Sequence, residues 1–252
     1  MSINLALVLT ILTLLSGVVI AIDKLVWKTA EQDSRTPPRG VAILVEYSRS
    51  FFPVLVFVLV IRSFIFEPFR IPSGSMKPTL VDGDFIFVKK YSYGLRLPVT
   101  ETKIIATGQP KRGDVIVFRL PSDPSINYIK RVVGLPGDEV SLERQRLTIN
   151  GVTMDLEANG DIFDHAPVYV ENLDGRVHKT LIHDPGRSKR DGVYVIPEGQ
   201  YFVMGDNRDQ SKDSRYIGAI PEKYLVGKAV RVWMHFIPGE MPDWGRIGTK
   251  IE

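Results

Sequence analysis

Two long apolar runs lead this chain, and short alternating segments follow them. Residues 3–22 (INLALVLTILTLLSGVVIAI) carry no charge. About 20 residues at ~1.5 Å rise cover the ~30 Å hydrocarbon core of a bilayer, so this run predicts a membrane-spanning helix. A cleaved secretory leader would have basic residues ahead of a shorter apolar core, and no Lys or Arg precedes this one. The second run, 51–66 (FFPVLVFVLVIRSFIF), covers about 24 Å as a helix. It predicts a span that begins a few residues earlier, with Arg62 near its end reaching the interface. A buried core helix is the competing reading, and the partner span and adjacent basic loop weigh against it. From residue 68 onward the period becomes two. Segments 84–90, 114–120, 127–133, 192–196, 200–204 and 228–236 are rich in β-branched and aromatic residues and read as strands.

Turn signals separate those strands. Gly-Asp steps stand at 83–84, 113–114, 137–138 and 205–206, and Asn150-Gly151 predicts a two-residue hairpin. Residues 154–191 are polar, with many Gly, Asp, Asn and Pro. They read as an inserted, more mobile subdomain, bounded at about 144–191. The expected organisation is a membrane helix at 1–22, a basic loop at 23–45, a second membrane helix at 46–67, and a mostly-β domain over 68–252. Lys24, Lys28, Arg35, Arg39 and Arg49 lie between or beside the spans, where Pro37-Pro38 interrupts any long helix. Positive charge favours the cytoplasmic side, so both termini and the β domain are expected outside.

Composition narrows the chemistry. The net charge of +3 comes from basic residues scattered among acids, which is no nucleic-acid footprint. Absence of Cys excludes disulfides, thiol nucleophiles and Cys-based zinc sites. None of His165, His178, His183 and His235 has a metal-ligand spacing, so neither a metal nor a His-based triad is expected; His178 and His183 read as solvated.

The stretch 69–80, FRIPSGSMKPTL, sets Ser73 and Ser75 in a loop punctuated by Pro72, Gly74 and Pro78. Such a turn can present a hydroxyl and leave backbone N–H groups free for an anion. A serine nucleophile needs a base, and without a suitable histidine the candidates are Lys, Asp and Glu. Lys130 lies in YIKRVV, on one strand face with Tyr128 and Val132. Burial there would favour its neutral amine, although a solvent-facing lysine on a strand edge fits the periodicity as well. The loop GDNRDQSKDSR (205–215) reads either as a solvated loop or as a half-buried network fixing a neighbouring site.

IPSGSMKPTL, GDVIVF, YIKRVVGLPGD and GDNRDQSKDSR, in this order behind two apolar spans, resemble bacterial type I signal peptidases. The matched blocks cover about 66–90, 111–140 and 200–236; little of 141–199 can be aligned. The resemblance implies a signal-peptidase-like β catalytic domain and a Ser–Lys dyad with no cofactor. It implies Ser75 as nucleophile, Lys130 as general base, and the Ser75 N–H with the Ser73 hydroxyl as oxyanion hole. Ser211 would orient the lysine amine. Asp206, Arg208, Asp213, Arg215 and Arg131 would form a structural network. Phe69, Ile71, Pro72, Met76, Leu80, Ile86, Tyr128 and Ile129 would line shallow apolar pockets for an Ala-x-Ala-type site. Gln210 departs from the Asn of many members, and Lys77 puts a second amine near Ser75.

The implied partners are signal peptides of exported preproteins and membrane lipid; apart from the resemblance, Trp233, Phe236 and Trp244 read either as lipid contacts or as ordinary core packing. No nucleic acid is expected. The implied setting is the bacterial inner membrane, multi-pass, with the catalytic domain on the periplasmic or extracytoplasmic side. A monomeric enzyme near the export translocon is a further expectation. Penicillin-recognising acyltransferases need an S-x-x-K that Met76 and Pro78 do not supply. A LexA-type autoprotease would carry a DNA-binding module in place of spans. A tethered, non-catalytic β domain that binds a partner protein is the remaining alternative.

Overall fold

The computed structural model describes residues 5–27, 38–100, 102–184, 186 and 190–252. Lys28, Arg35 and Pro37 of the expected basic loop, and the first residues of the expected first span, lie outside these. Chain contacts separate two units, one of residues up to Glu67 with Gly94–Ala106, the other of Pro68–Tyr93 with Thr107–Glu252.

The first unit contains helices α1 (Leu5–Ile22) and α2 (Arg39–Val60). Wider π-type turns prolong them to Trp27 and Ile65, giving apolar helices of 23 and 27 residues. At ~1.5 Å per residue each is long enough to cross a bilayer. The second helix starts at Arg39, with Pro38 at its N-terminal boundary, where a missing N–H does no harm. The helices pack side by side. Gly17 lies where a Cβ would meet the Phe52 ring at 3.2 Å, and buried Asp23 pairs with Arg49 at 2.5 Å. The hydroxyls of Thr10 and Thr13 donate to carbonyls one turn back, so neither faces lipid unpaired.

The strands, in chain order, begin with β1 (Phe66–Arg70), β2 (Asp84–Lys89), β3 (Leu95–Arg96), β4 (Lys103–Ile105), β5 (Val115–Leu120) and β6 (Asp123–Gly134). Then come β7 (Glu139–Glu143), β8 (Arg146–Ile149), β9 (Val152–Thr153), β10 (Asp155–Phe163), β11 (Ala166–Leu173) and β12 (Arg176–Leu181). Last are β13 (Gly192–Val195), β14 (Gln200–Met204), β15 (Ile220–Pro221) and β16 (Leu225–His235). One seven-stranded sheet, ordered β1-β2-β16-β5-β6-β14-β15, carries the candidate residues. Its β5–β6 hairpin pairs Ile116 with Lys130 and Val117 with Ile129. A smaller sheet is ordered β13-β7-β8-β9. Asn150 and Gly151 turn its β8–β9 hairpin with φ of 51° and 79°, the conformation that makes an Asn-Gly pair favourable there.

Among the described residues of 154–191, three strands occupy much of a stretch whose composition reads as loop-forming. They form an antiparallel sheet, β10-β11-β12, whose β10–β11 register shifts between Ala158 and Ile162, with Ala166, Val168, Leu173 and Leu181 buried. The acids and bases along these strands hide the alternation, and β10 is exposed over most of its length. Residues 185 and 187–189 of that stretch lie outside the described ones. His178, expected to be solvated, is buried on β12.

Candidate active site

A 3-10 turn, Gly74–Met76, holds Ser75, with Ser73 extended and exposed just before it. The turn is closed by Lys77 N–H donating to the Gly74 carbonyl at 3.2 Å, and Leu80 N–H donates to the Met76 carbonyl at 2.9 Å. Beneath it, Ile71, Met76, Leu80, Ile86 and Ile129 belong to one buried cluster, with Phe69 packed against it. This apolar floor anchors the turn, which crosses from the β1–β2 edge of the sheet to β6. Four inter-strand steps of ~4.8 Å separate β1 from β6, so a flat sheet alone would leave the two strands about 19 Å apart.

The crossing brings the two expected dyad residues together. Lys130 Nζ is 2.6 Å from Ser75 Oγ and donates to the Ile129 carbonyl at 2.8 Å. Ser75 is 8% exposed and Lys130 4%, so the strand-edge reading of this lysine does not hold. Burial lowers the Lys130 pKa from 10.5 to about 8; Asp213 and Asp206 oppose this by attraction, and Arg215 adds to it. The Tyr128 ring lies 5.4 Å from the amine.

The polar loop after β14 is a buried network. Asp206 accepts from Arg131 Nε and Nη2, both at 2.7 Å, and from Thr79 Oγ1 at 2.5 Å. Burial alone would raise the Asp206 pKa, but the Arg131 charge and hydrogen bonds outweigh it and hold the carboxyl below its ordinary range. Asp213 behaves likewise, with burial opposed by Arg215 Nε and Nη2, both at 2.8 Å, and by Gly205 N–H at 3.0 Å. Arg215 Nη2 also donates to the Arg208 carbonyl at 2.6 Å. Ser211 is buried in the same layer, but its hydroxyl makes no hydrogen bond to Lys130, in contrast to the expected orienting bond.

Two residues to which the sequence reading gave no part in the site, Asn207 and Gly205, tie this network to the Ser75 turn. Asn207 donates from its backbone N–H to the Ser75 carbonyl and from Nδ2 to the Gly74 carbonyl, both at 3.1 Å. Gly205 permits the close approach, since a Cβ there would stand 2.5 Å from the Ser75 carbonyl oxygen and against Ser211. An amide beside the aspartates of GDNRD is the only local hint of the first; the Gly-Asp step at 205–206 marks the second as a turn glycine but not as a point of close approach.

The expected pocket-lining residues divide. Met76, Leu80 and Ile86 have no exposed surface and back the site, as do the nearly buried Ile71 and Ile129. Pro72 is exposed, and Phe69 and Tyr128 are partly so. Lys77 does not reach Ser75 as a free amine. It pairs with Asp164 at 2.8 Å and Asp82 at 3.5 Å, and the hydrogen bond to Asp164 raises its pKa despite partial burial. Among the described residues no group of three or more His, Asp or Glu side chains could hold a metal ion. A buried amine at hydrogen-bond distance from a hydroxyl, on an apolar floor, can run general-base acyl transfer.

Comparison with known proteins gives a consistent picture. The family profile that matches residues 44–234 is described as signal peptidase, peptidase S26. Signal peptidase I of Pseudomonas fluorescens is 45% identical, with 98% of this chain and 99% of that protein aligned. Signal peptidase I of Pseudomonas aeruginosa is 49% identical over 82% of this chain and 79% of its own. That of Buchnera aphidicola from Baizongia pistaciae is 38% identical over 82% and 83%.

Proposed function

The chain belongs to the peptidase S26 family of signal peptidases and removes signal peptides from preproteins at a membrane, and we propose that it does so with Ser75 as nucleophile and Lys130 as general base. The observation that carries this assignment is the buried 2.6 Å contact between Lys130 Nζ and Ser75 Oγ. Neutral Lys130 takes the Ser75 proton as Oγ attacks the scissile carbonyl. The oxyanion is held by the Ser75 N–H and the Ser73 hydroxyl, each worth about 3 kcal/mol of barrier. The resulting ammonium protonates the leaving amine. Water, activated by the same amine, then releases the acyl group.

Burial makes the base competent. With a pKa of about 8, roughly a tenth of the lysine is neutral at about pH 7, several hundred times the fraction of a free lysine. The rate is therefore expected to rise with pH up to a limb near 8.

Substrate choice follows from the surface around Ser75. Exposed Pro72 and partly exposed Phe69 and Tyr128, over a floor already filled by Met76, Leu80 and Ile86, leave shallow apolar room that suits the small residues of an Ala-x-Ala site. The topology of this reading follows the charge. Lys24, Lys28, Arg35, Arg39 and Arg49 favour a cytoplasmic inter-helix loop, with residues 68–252 on the periplasmic or outer face of the inner membrane. Exposed Trp244 and Phe236 support contact of this domain with lipid.

The test is cleavage of an Ala-x-Ala preprotein substrate by the detergent-solubilised enzyme beside Ser75→Ala and Lys130→Ala. Both variants are expected to lose activity. Full activity in Lys130→Ala would remove this lysine as base, and an inactive intact protein would favour a tethered domain that only binds.

A further inference from the structure

The sheet β10-β11-β12 has no part in the mechanism above, yet it supplies a buried counter-charge to the loop beneath Ser75 and Lys130. Glu171 on β11 is fully buried. Its carboxylate accepts from both terminal nitrogens of Arg208, with Nη1 at 2.8 Å from Oε1 and Nη2 against Oε2. Directly across the strand pair, His178 on β12 sets Nε2 3.3 Å from Glu171 Oε2 and 3.8 Å from Asp206 Oδ1. Burial, aided by the Arg131 charge, keeps this imidazole neutral with a pKa of about 4. Thr180 Oγ1 and Leu181 N–H both donate to the Asp206 carbonyl, at 2.6 and 2.8 Å. Two backbone N–H groups beyond the strand, of His183 and Asp184, reach Asp209 Oδ2 at 2.7 and 3.3 Å.

The sheet thus grips residues 206–209 on one side, while Asn207 and Asp206 hold the Ser75 turn and Arg131 on the other. Stability alone does not account for the Glu171–Arg208 pair, because a well-packed apolar pair of similar volume serves as well in a core. What an apolar pair could not supply is orientation and charge balance. Three buried cations, Arg131, Arg208 and Arg215, meet three buried anions, Asp206, Asp213 and Glu171. Lys130 borders this group, attracted by Asp213 and Asp206, repelled by Arg215, and facing Ser75 and the Tyr128 ring.

We propose that Glu171 is a positioning residue for the cleavage reaction, fixing the loop 205–215 through Arg208 and keeping the buried charge beside Lys130 balanced. The proposal rests on the Ser75–Lys130 assignment. Without Glu171, the network holds one excess positive charge. Arg208 then turns to Asp206 or Asp213, whose fields it already feels, and draws them away from Lys130. Both effects make the lysine easier to deprotonate and the loop less well placed.

The experiment is a pH–rate profile of the full-length enzyme in detergent on an Ala-x-Ala preprotein substrate. Glu171→Gln is expected to move the acid limb of kcat/KM about one pH unit lower. It should lower kcat about tenfold or more and leave KM within about twofold. The paired variant Glu171→Gln with Arg208→Gln restores the charge balance, so its limb should return to the wild-type pH while kcat stays low. A Glu171→Gln limb that coincides with wild type overturns the proposal, and so does wild-type kcat in the paired variant. If Glu171→Gln does not fold, the paired variant decides alone through its kcat and KM. Failure of the underlying dyad assignment would appear separately, as activity surviving in Ser75→Ala.

Discussion

Replacing Lys130 by Met is expected to abolish cleavage and, at neutral pH, to stabilise the β domain. Burial lowers the pKa of this lysine from 10.5 to about 8. At 1.36 kcal/mol per factor of ten, the folded state therefore holds the ammonium about 3 kcal/mol less favourably than the unfolded chain does. The sign follows from proton counts. Between about 8 and 10.5 the unfolded chain keeps the lysine proton while the folded one has lost it, so this group's contribution to stability rises with pH across that window. Below about pH 8 the full penalty is present, and above about 10.5 it is gone.

Met keeps the length of the stem on the same apolar floor and removes the charge. It also removes the bonds to Ser75 Oγ and the Ile129 carbonyl, each loss costing about 1 kcal/mol. The net gain at about pH 7 is then about 1 kcal/mol, and the order of stabilities reverses by about pH 10, where most of the penalty has already vanished. Urea unfolding of wild type and Lys130→Met in detergent, followed by tryptophan fluorescence at both pH values, measures this. A Lys130→Met enzyme less stable than wild type at neutral pH would refute the argument that desolvation sets the lysine's proton affinity.

Two further substitutions probe the surroundings of the dyad. Gly205→Ala places a methyl 2.5 Å from the Ser75 carbonyl oxygen and against Ser211, so the turn must shift. An overpacking cost of about 1–3 kcal/mol should lower the melting temperature by roughly 5 °C, and the displaced nucleophile should cost about 10²-fold in kcat/KM. Unchanged melting and rate would contradict the close approach. Lys77→Ala removes an amine already paired with Asp164 and Asp82, so cleavage should stay within about twofold of wild type. Loss of activity there would contradict the reading that its pairing with Asp164 and Asp82 keeps Lys77 out of the reaction.

Much of this protein was legible along the chain. Run 3–22 is long enough to cross a bilayer and predicts α1, while run 51–66 covers only about 24 Å and predicts α2 once a few preceding residues are added, because helix rise and bilayer thickness leave little choice. Period two marks the strands of the large sheet, and Pro72, Gly74 and Pro78 mark the turn that carries Ser75. The two residues of the proposed dyad could be picked out from the resemblance, but periodicity left Lys130 undecided. β6 is an inner strand covered on both faces, so Ile129–Val133 are buried in succession and no alternation survives to say which way the lysine points. The strands of 155–181 were hidden for the opposite reason, because exposed positions and scattered charges blur the pattern.

The charged groups show most clearly what folding alone decided. Glu171 and His178 look like surface residues in the sequence, and the loop that holds Arg208 reads as solvated or half-buried; all three are buried because a distant segment brings each a partner. Asn207 meets Ser75 only because Gly205 lets two loops more than a hundred residues apart come into contact. Local sequence sets the period of a strand and the sharpness of a turn. The state of a buried charge depends on which remote dipoles and counter-ions surround it, and those meet only in the tertiary structure.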